Sequence, residues 1–371
     1  MQESELIELT QTVLWSAFAA ATVFGAVAQR THFCTMGAIA DIVNMGDWTR
    51  MRMWVLAIAV AVVGFNAMVG VGWIKAGDSL YAGTRLLWLS LLVGGLMFGF
   101  GMVLASGCGS KNLVRAGAGN LKAWVVLLVL GLTAFATLKG ITAVVRVNTV
   151  ERIGLDLATG QDLPSLLAPA LGTTVPSAAL ALGLLLGAVL LAWVVCSPHG
   201  RAPAVWLGGV GIGGVVVLMW WISGRLGFVA EHPQTLEATF LATNSRAMES
   251  LSMVAPVGFA LDWLLLFSDK TKLLTIGIVS MAGVVVGSAV MALASREFRW
   301  EGFGNVEDTA NHLVGAALMG VGGVTAMGCT IGQGLSGVSS LSLGSALALV
   351  AIVCGAVAAL RYQIWRIDHM A

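Results

Sequence analysis

Runs of about twenty apolar residues recur along the whole chain, separated by polar connections. An α-helix needs about 20 consecutive apolar residues to cross the hydrocarbon core of a bilayer. Nine such runs are present, at roughly 11–29, 53–74, 86–106, 123–142, 177–196, 204–223, 273–294, 312–328 and 343–360. Only 11% of the 371 residues are charged, whereas a soluble domain has about 25%. The sequence therefore predicts an all-α integral membrane protein with about nine transmembrane helices.

A tenth apolar segment, 251–267, contains Asp262, so we expect it to lie at the membrane interface or against protein. The net charge of +1 argues against nucleic acid as a partner. Basic residues are concentrated in the loops after the first, third, fifth and seventh spans: Arg30, Arg50, Arg52, Lys111, Arg115, Lys122, Arg201, Arg296 and Arg299. The positive-inside rule then places the N-terminus outside and the C-terminus inside.

The connection between the last two runs, CTIGQGLSGVSSLSLGS, contains no charged residue. It starts at Cys329 and lies within a longer charge-free stretch, between Asp308 and Arg361. Irregular backbone is tolerated at membrane depth only where protein buries it or where it lines a cavity. We therefore expect this glycine-rich connection to dip back into the protein as a re-entrant loop.

The end of the third run repeats in the eighth. GFGMVLASGCGS starts at Gly99 and GVGGVTAMGCTI starts at Gly320, and both contain Gly-x-Gly followed by Gly-Cys at one spacing. Gly-x-Gly alone is often only a close-packing face of a membrane helix. Paired broken helices in two inverted halves are a common transporter plan. We predict a single membrane domain, 1–371, with half repeats at about 11–142 and 273–371 joined by connecting helices over 143–272.

A fainter match relates AQRTHFC, from Ala28, to ASREFRW, from Ala294. Fewer residues separate the second of these from its Gly-Cys pair, so the first half is expected to hold an extra helix. The nine-span arrangement places Cys108 and Cys329 in loops on opposite faces. It does not place Arg30 and Arg296 on opposite faces.

The two Gly-Cys loops have features of an anion site. Glycine leaves backbone N–H groups open to close approach, and the N-terminus of a following helix adds positive potential. The first loop also contains Lys111 and Arg115, which equally fit an ordinary cytoplasmic loop under the positive-inside rule. In the second loop, Thr330 and Gln333 offer neutral hydrogen bonds.

The cysteines narrow the choice of anion. A cysteine buried in apolar surroundings stays a neutral S–H group, which does not repel an anion. The thiol is a weak donor, suited to a soft acceptor such as a terminal sulfur. Thiosulfate, sulfide and related sulfur or selenium species fit this chemistry, whereas sulfate presents only hard oxygens.

Three motifs, QRTHFCTMGAIAD, ASGCGSKNLVRAGAGN and TAMGCTIGQGLSGVSSLSLGS, resemble the YeeE/YedE family of sulfur-compound transporters. The resemblance extends over nearly the whole chain, including NSRAMESLS and WEGFGNVEDTANHLVGAALMG. It implies an hourglass-shaped membrane protein in which two inverted halves send short helices and loops to a central constriction. It also implies that Cys34, Cys108 and Cys329 line the route and pass thiosulfate along by S–H···S contacts.

The predicted substrate-binding residues combine these thiols with their loops. They are Cys34, Cys108, Cys329, Gly107, Gly109, Gly328, Thr330, Gly332, Gln333, Lys111 and Arg115. No catalytic residue, metal site or cofactor is predicted, because neither a nucleophile–base set nor a phosphate-binding loop is present.

Other polar residues have simpler interpretations. Cys196 with His199 could bind metal, but a cysteine at a helix end is much commoner. Cys354 is expected to face lipid or to pack. Asp308 or Thr309 could cap a helix, and a proton-linked role for Asp308 or His312 is the alternative.

The sequence thus predicts uptake of thiosulfate or a related small sulfur anion across the inner membrane. The first alternative is a membrane sulfurtransferase that forms a cysteine persulfide and passes the sulfur to a cytosolic carrier. A second is a transporter of selenium compounds, and a third is that Cys108 and Cys329 only pack or form a disulfide. The expected partners are the anion, the lipid bilayer and a small cytosolic sulfur-carrier protein, with no nucleic acid.

Overall fold

The computed structural model describes residues 3–233, 236–269 and 271–370, and most of these residues are helical. The helices are α1 Glu3–Thr31, α2 Thr35–Met45, α3 Thr49–Val71, α4 Trp88–Leu104, α5 Gly109–Gly117, α6 Leu121–Lys139, α7 Ile141–Asn148, α8 Leu163–Leu171, α9 Val175–Val195, α10 Pro203–Trp221, α11 Ala255–Leu265, α12 Ile276–Ala294, α13 Val306–Thr325 and α14 Leu343–Met370. Two π-helical turns, Ile222–Leu226 and Gly332–Gly337, follow α10 and precede α14. The strands form two antiparallel pairs, β1 Arg85–Leu86 with β2 Leu155–Asp156 and β3 Phe228–Val229 with β4 Thr239–Phe240.

Eight helical segments of the described chain are long and apolar enough to cross a membrane. They are Ser4–Met45, Thr49–Val71, Trp88–Gly117, Leu121–Lys139, Val175–Val195, Pro203–Leu226, Ile276–Ala294 and Leu343–His369. This confirms an all-α, multi-pass membrane protein. The predicted span at 312–328 falls on α13, whose first turns carry Glu307, Asp308, Asn311 and His312. Because these polar residues lower the hydropathy of α13, the count of nine spans is not confirmed.

The tenth apolar segment forms the short helix α11, which has 11 residues. At 1.5 Å per residue it is about 16 Å long, roughly half the thickness of the hydrocarbon core. It packs against α6. Its Asp262 carboxylate accepts hydrogen bonds from Lys139 Nζ at 3.0 Å and Lys272 Nζ at 2.8 Å. The expectation that this segment packs against protein instead of spanning is confirmed.

Asn305, and neither Asp308 nor Thr309, caps the N-terminus of α13. Its side-chain oxygen accepts from Asp308 N at 2.7 Å, which satisfies one of the free N–H groups at the helix start. Asp308 lies inside the first turn instead, where Lys122 Nζ donates to its carboxylate at 2.9 Å. The prediction that Asp308 or Thr309 caps this helix was therefore wrong.

Glycines allow α4 and α13 to cross at close range. A Cβ added at Gly322 would lie 2.6 Å from Phe98 N, and one added at Gly101 would lie 2.6 Å from Gly315 O. The outer faces of the two helices also carry glycine. Gly99 lies against Ile352 of α14, and Gly320 lies against α6. The repeated Gly-x-Gly motif is thus used for close helix packing.

The helix contacts occur in matching pairs. α4 packs on α14 as α13 packs on α6, and α1 packs on α12 as α10 packs on α3. The short helices follow the same rule, since α2 contacts α14 and α11 contacts α6. Replacing each helix by its counterpart turns one contact of a pair into the other. The counterparts are α1 and α10, α3 and α12, α4 and α13, and α6 and α14.

Polar contacts around the connection between α12 and α13 define one end of the helix bundle. Gln29 at the end of α1 donates to Glu297 at 3.0 Å, and Arg366 near the end of α14 pairs with Glu307 at 2.9 Å. We call this end, where α14 finishes, the carboxy-terminal face. The opposite end, where α1 begins, is the amino-terminal face. Because α1 and α12 both finish at the carboxy-terminal face, Arg30 and Arg296 lie at the same end of the bundle.

Candidate functional site

The two Gly-Cys loops have the same backbone structure. Ser106 after α4 and Met327 after α13 both adopt the left-handed conformation, with φ of 54° and 55°. In the first loop, Gly107 N donates to Met102 O at 2.8 Å, and in the second, Gly328 N donates to Gly323 O at 2.8 Å. These bonds satisfy the last carbonyls of each helix, so Gly107 and Gly328 end the helices with their N–H groups already engaged.

Each of the three cysteines of the predicted route lies at or shortly before the start of a helical segment. Cys34 is the N-cap of α2, and its Sγ accepts from Gly37 N at 3.3 Å. Cys108 is the N-cap of α5, with its Sγ 3.2 Å from Ser110 Oγ. Cys329 precedes the second π-helical turn, and its Sγ accepts from Gly332 N at 3.4 Å. The start of α2 and of α5 therefore directs free N–H groups and positive potential toward a thiol.

All three thiols are enclosed by protein. Cys108 and Cys329 are fully buried, and Cys34 is 8% exposed. Cys108 is the middle member, because its side chain lies within electrostatic range of both the Cys34 and the Cys329 side chains. All five cysteines of the chain are free, so Cys108 and Cys329 form no disulfide.

An extended segment, residues 248–254, brings further groups to Cys329. Leu251 O accepts from Ser336 Oγ of the second loop at 2.8 Å. A Cβ on Gly332 would lie 2.9 Å from Ser252 Oγ and 3.2 Å from Tyr81 Oη. This narrow space requires glycine at position 332, and it places Ser252 and Tyr81 beside the thiol loop.

Met253 of the same segment joins the two Gly-Cys loops. Its carbonyl oxygen lies 3.5 Å from the position of a Cβ on Gly109, and its backbone N–H donates toward the Cys329 thiol. Sequence reasoning missed Tyr81, Ser252 and Met253. The one available signal was the polar stretch NSRAMESLS, from Asn244 to Ser252, immediately before an apolar segment.

Thr330 and Gln333 have different roles in the second loop. Gln333 Nε2 donates to Ala326 O at 2.6 Å, which ties the π-helical turn to the end of α13. Thr330 is fully buried, and its Oγ1 has no hydrogen-bond partner among the described residues. Its hydroxyl is therefore free to donate to a ligand next to Cys329.

Positive charge is concentrated at the carboxy-terminal side of the thiols. Lys111 lies near both Cys34 and Cys108, and its aliphatic stem packs beside Gly107. Arg115 NH1 donates to Ser106 O at 2.8 Å, which fixes the turn before Cys108. The structure thus brings Lys111 and Arg115 to the first loop, while the second loop has neutral surroundings.

Two cavities approach these loops from opposite faces. The one on the amino-terminal face has a volume of about 220 Å³ and ends at Met327 and Gly328 of the second loop. The one on the carboxy-terminal face has a volume of about 130 Å³ and is lined by Ser106, Asn112 and Arg115 of the first loop. The buried thiols occupy the region between them.

The remaining cysteines lie outside this region. Cys196 is the exposed C-cap of α9, and Cys354 is exposed on α14. Within the described ranges, no three His, Cys, Asp or Glu side chains are grouped so as to hold a metal ion. Cys196 is thus a cysteine at a helix end, and Cys354 lies on the outer surface of the bundle.

Known proteins resemble the chain over most of its length. Residues 30–358 match the family described as Sulphur transport. The thiosulfate transporter TsuA of Escherichia coli strain K12 is 27% identical over 353 residues, which cover 93% of this chain and 93% of that protein. TsuA of Spirochaeta thermophila is 26% identical over 360 residues, covering 92% and 97%. The probable transporter YedE of Escherichia coli is 29% identical over 135 residues, covering 35% of this chain and 31% of that protein.

Proposed function

Because the chain belongs to the Sulphur transport family, we propose that it takes up thiosulfate or a related small sulfur anion across the cell inner membrane. One observation carries the proposal. Three buried thiols lie in the order Cys329, Cys108, Cys34 between cavities that open toward opposite faces. The names of the two TsuA relatives support thiosulfate as the substrate.

The thiols suit a soft anion because a buried S–H group is a weak hydrogen-bond donor without charge. A neutral S–H does not repel the incoming charge, and it can donate to the terminal sulfur of thiosulfate. No single thiol holds the anion firmly. Binding is therefore divided over several weak sites, as conduction requires.

The surroundings of the thiols favour movement in one direction. Near Cys329 the anion meets the unpaired, neutral hydroxyl of Thr330. Near Cys108 and Cys34 it meets Lys111 and Arg115 as well. We infer that the positive side is cytoplasmic, which agrees with the positive-inside rule. A small cytosolic sulfur-carrier protein could remove the anion there.

Two inverted halves are part of the proposal. The exchange of helix contacts supports a correspondence of α1–α6 with α10–α14, with α7–α9 as the connection. The two Gly-Cys loops are also reached by cavities from opposite faces of the bundle, which supports the same correspondence. The second half then begins at α10, earlier than the boundary at 273 predicted from the sequence.

Uptake of thiosulfate labelled on its outer sulfur tests this function. The assay uses cells that lack other sulfur-anion importers and compares wild type, Cys329→Ala and Cys354→Ala at matched membrane expression. We expect uptake by wild type, near-complete loss in Cys329→Ala and no loss in Cys354→Ala, since Cys354 is exposed on α14. Equal uptake by all three proteins would contradict the role of Cys329.

The same cells distinguish transport from sulfur transfer. After exposure to thiosulfate, thiols are trapped by alkylation and Cys34, Cys108 and Cys329 are examined by mass spectrometry. A neutral relay forms no covalent bond, so we expect no persulfide. A persulfide on any of the three would indicate a sulfurtransferase instead.

A further inference from the structure

A small cavity lies beside the second π-helical turn, at the end of α14 nearer the amino-terminal face. It has a volume of about 20 Å³, and Gln161, Gln333 and Ser345 are among the residues that line it. They come from three separate parts of the chain: the loop before α8, the π-helical turn and the first turn of α14. The backbone joins two of these parts, since Leu343 N donates to Gln161 O at 3.0 Å.

Three oxygen atoms on the residues around this cavity have no hydrogen-bond partner among the described residues. They are Gln161 Oε1, Gln333 Oε1 and Ser345 Oγ, and their residues are 8%, 2% and 1% exposed. Gln333 Nε2 donates to Ala326 O at 2.6 Å, which fixes Oε1 as the free end of that amide. Buried polar atoms nearly always have a partner. Two amide oxygens and a hydroxyl without partners therefore indicate a ligand that is positively charged or donates hydrogen bonds.

Glycines keep the space beside these oxygens open. A Cβ on Gly337 would collide with Ser345 Oγ and would lie 3.1 Å from Gln333 Oε1. A Cβ on Gly344 would lie 2.6 Å from Gln161 Oε1. Because all three oxygens are buried, an occupant that reaches them must be small and must give up most of its water.

Positive charge at this position would be useful to the second Gly-Cys loop. Gln333 N donates to Cys329 O at 2.8 Å, and Gln333 Cγ lies 3.0 Å from the position of a Cβ on Gly328. Gln333 is thus packed directly against this loop, which contains no basic residue. Charges attract one another far more strongly inside a protein than in water. A cation beside Gln333 would therefore offset the charge of an anion at Cys329.

The neutral character of the oxygens indicates a monovalent ion. Proteins hold Ca²⁺ and Mg²⁺ mainly through carboxylates, and no Asp or Glu is among the described residues that line this cavity. Arg85 also lines it, but its side chain is 53% exposed and donates to Glu151 O at 3.3 Å and Arg152 O at 3.5 Å. Its charge is therefore held at the surface, where water screens it. The narrow space favours Na⁺ over the larger K⁺.

We propose that this cavity is a sodium site. Gln161 Oε1, Gln333 Oε1 and Ser345 Oγ coordinate the ion, which arrives from the amino-terminal face. Broken helices of transporters bind coupling ions in this way, beside the substrate. Bound Na⁺ stabilises the anion at the Cys329 loop, so thiosulfate uptake depends on external sodium. This dependence rests on the proposed function, whereas the binding of sodium does not.

Thermal unfolding of the purified full chain in detergent measures sodium binding without transport. NaCl, KCl and choline chloride are compared at one ionic strength, so that general salt effects are equal. We expect about 100 mM NaCl to raise the melting temperature by several degrees over choline chloride, because an ion that binds only the folded protein stabilises it. KCl should raise it little. Equal melting temperatures in NaCl and choline chloride, or an equal rise in KCl, would overturn the inference.

Ser345→Ala and Ser340→Ala form a matched pair. Both residues are buried serines near the start of α14, but Ser340 Oγ already donates to Gly337 O at 2.8 Å. Ser345→Ala removes an unpaired hydroxyl, so in choline chloride it should melt at or above the wild-type temperature. Its sodium affinity should nevertheless fall by about tenfold, because one contact with a charged ligand is lost. Ser340→Ala should keep the wild-type affinity, and equal affinity in all three proteins would contradict the site.

Gln161→Glu should act in the opposite direction. The carboxylate keeps the shape of the amide and adds a negative charge, so sodium affinity should rise by about tenfold. In choline chloride the same variant should melt below wild type, since the buried charge then has no partner. A fall in sodium affinity would show that Gln161 does not coordinate the ion.

Uptake assays separate this inference from the proposed function. Wild-type cells should take up thiosulfate faster in NaCl than in choline chloride, and Ser345→Ala should lose most of this difference. If sodium binding depends on Ser345 but no thiosulfate is taken up, the sodium site stands and the proposed function fails. If uptake depends on Cys329 but wild type binds no sodium, the function stands and the sodium site fails. Cys329-dependent uptake at one rate in both media would refute the link between them.

Discussion

Substitution of Gly322 by alanine places one methyl group in the closest part of the α4–α13 crossing. Its Cβ would lie 2.6 Å from Phe98 N and 2.7 Å from Gly94 O, whereas carbon contacts are most favourable at about 3.5–4.0 Å. Both neighbouring atoms belong to the backbone of α4, so neither can rotate away. The two helices must therefore separate locally by roughly 1 Å.

This separation has an energetic cost that can be estimated. Overpacking of a well-packed core by one methyl group costs about 1–3 kcal/mol. A gap of this size also loses about a quarter to a half of the dispersion energy across it. We expect the free energy of unfolding to fall by about 2 kcal/mol. Uptake should fall as well, because Ala326 N donates to Gly322 O at 2.8 Å just before the Cys329 loop.

Thermal unfolding of the purified protein in detergent, followed by size-exclusion chromatography, measures the effect. Gly214→Ala is the matched control, because Gly214 lies in α10 and an added Cβ there has no atom within 4 Å. Alanine is the better helix former, so the control should melt at or above the wild-type temperature. We expect Gly322→Ala to melt several degrees lower. A variant that melts with the wild type would refute the packing argument.

Two further predictions concern Asp262 and Cys196. Burial acts to raise the pKa of Asp262, but hydrogen bonds from Lys272 and Lys139 outweigh it and leave that pKa below its ordinary value. The ionised carboxylate therefore stabilises the folded protein above the pKa that Asp262 has in the unfolded chain, and this stabilisation is lost as pH falls through its pKa in the folded protein. Acidification should lower the melting temperature of wild type more than that of Asp262→Asn. Cys196 is exposed, so a membrane-permeant maleimide should modify it in the folded protein, whereas the three buried thiols of the route should react only after denaturation. Mass spectrometry of labelled peptides checks the second prediction, and modification of Cys329 at the rate of Cys196 would contradict it.

The membrane spans were predictable from sequence because the length of an apolar run reports directly on its fit to a bilayer. The Gly-Cys loops were predictable because a repeated motif ends two separate runs, and both copies have one backbone structure. Whether α13 spans the membrane was harder to predict. Its apolar residues extend the run to Gly328, but its first turns contain Glu307 and Asp308 and form polar contacts at the carboxy-terminal face.

The rest of the candidate site depends on contacts between distant parts of the chain. Tyr81 and Ser252 reach Gly332 only because two loops fold inward from the amino-terminal face. No local pattern marks either residue. The cap of α13 was missed for a different reason, since Asn305 follows glycine-rich chain and Asp308 is an equally good capping residue by type. In the folded protein, the Asp308 carboxylate accepts a hydrogen bond from Lys122 Nζ, and Asn305 is the residue that caps the helix.

The two-sided packing of α4 also affects how the protein is made. The glycine face of α4 is completed by α13 and α14, which lie in the last third of the chain. During synthesis α4 therefore enters the bilayer long before its neighbours exist, and its glycines face lipid or the insertion machinery until they arrive. Chains that stop before α13 would retain that bare face and remain targets for membrane proteases. The packing around α4 and the Cys108 loop that follows it is therefore completed only after α13 and α14 have been synthesised.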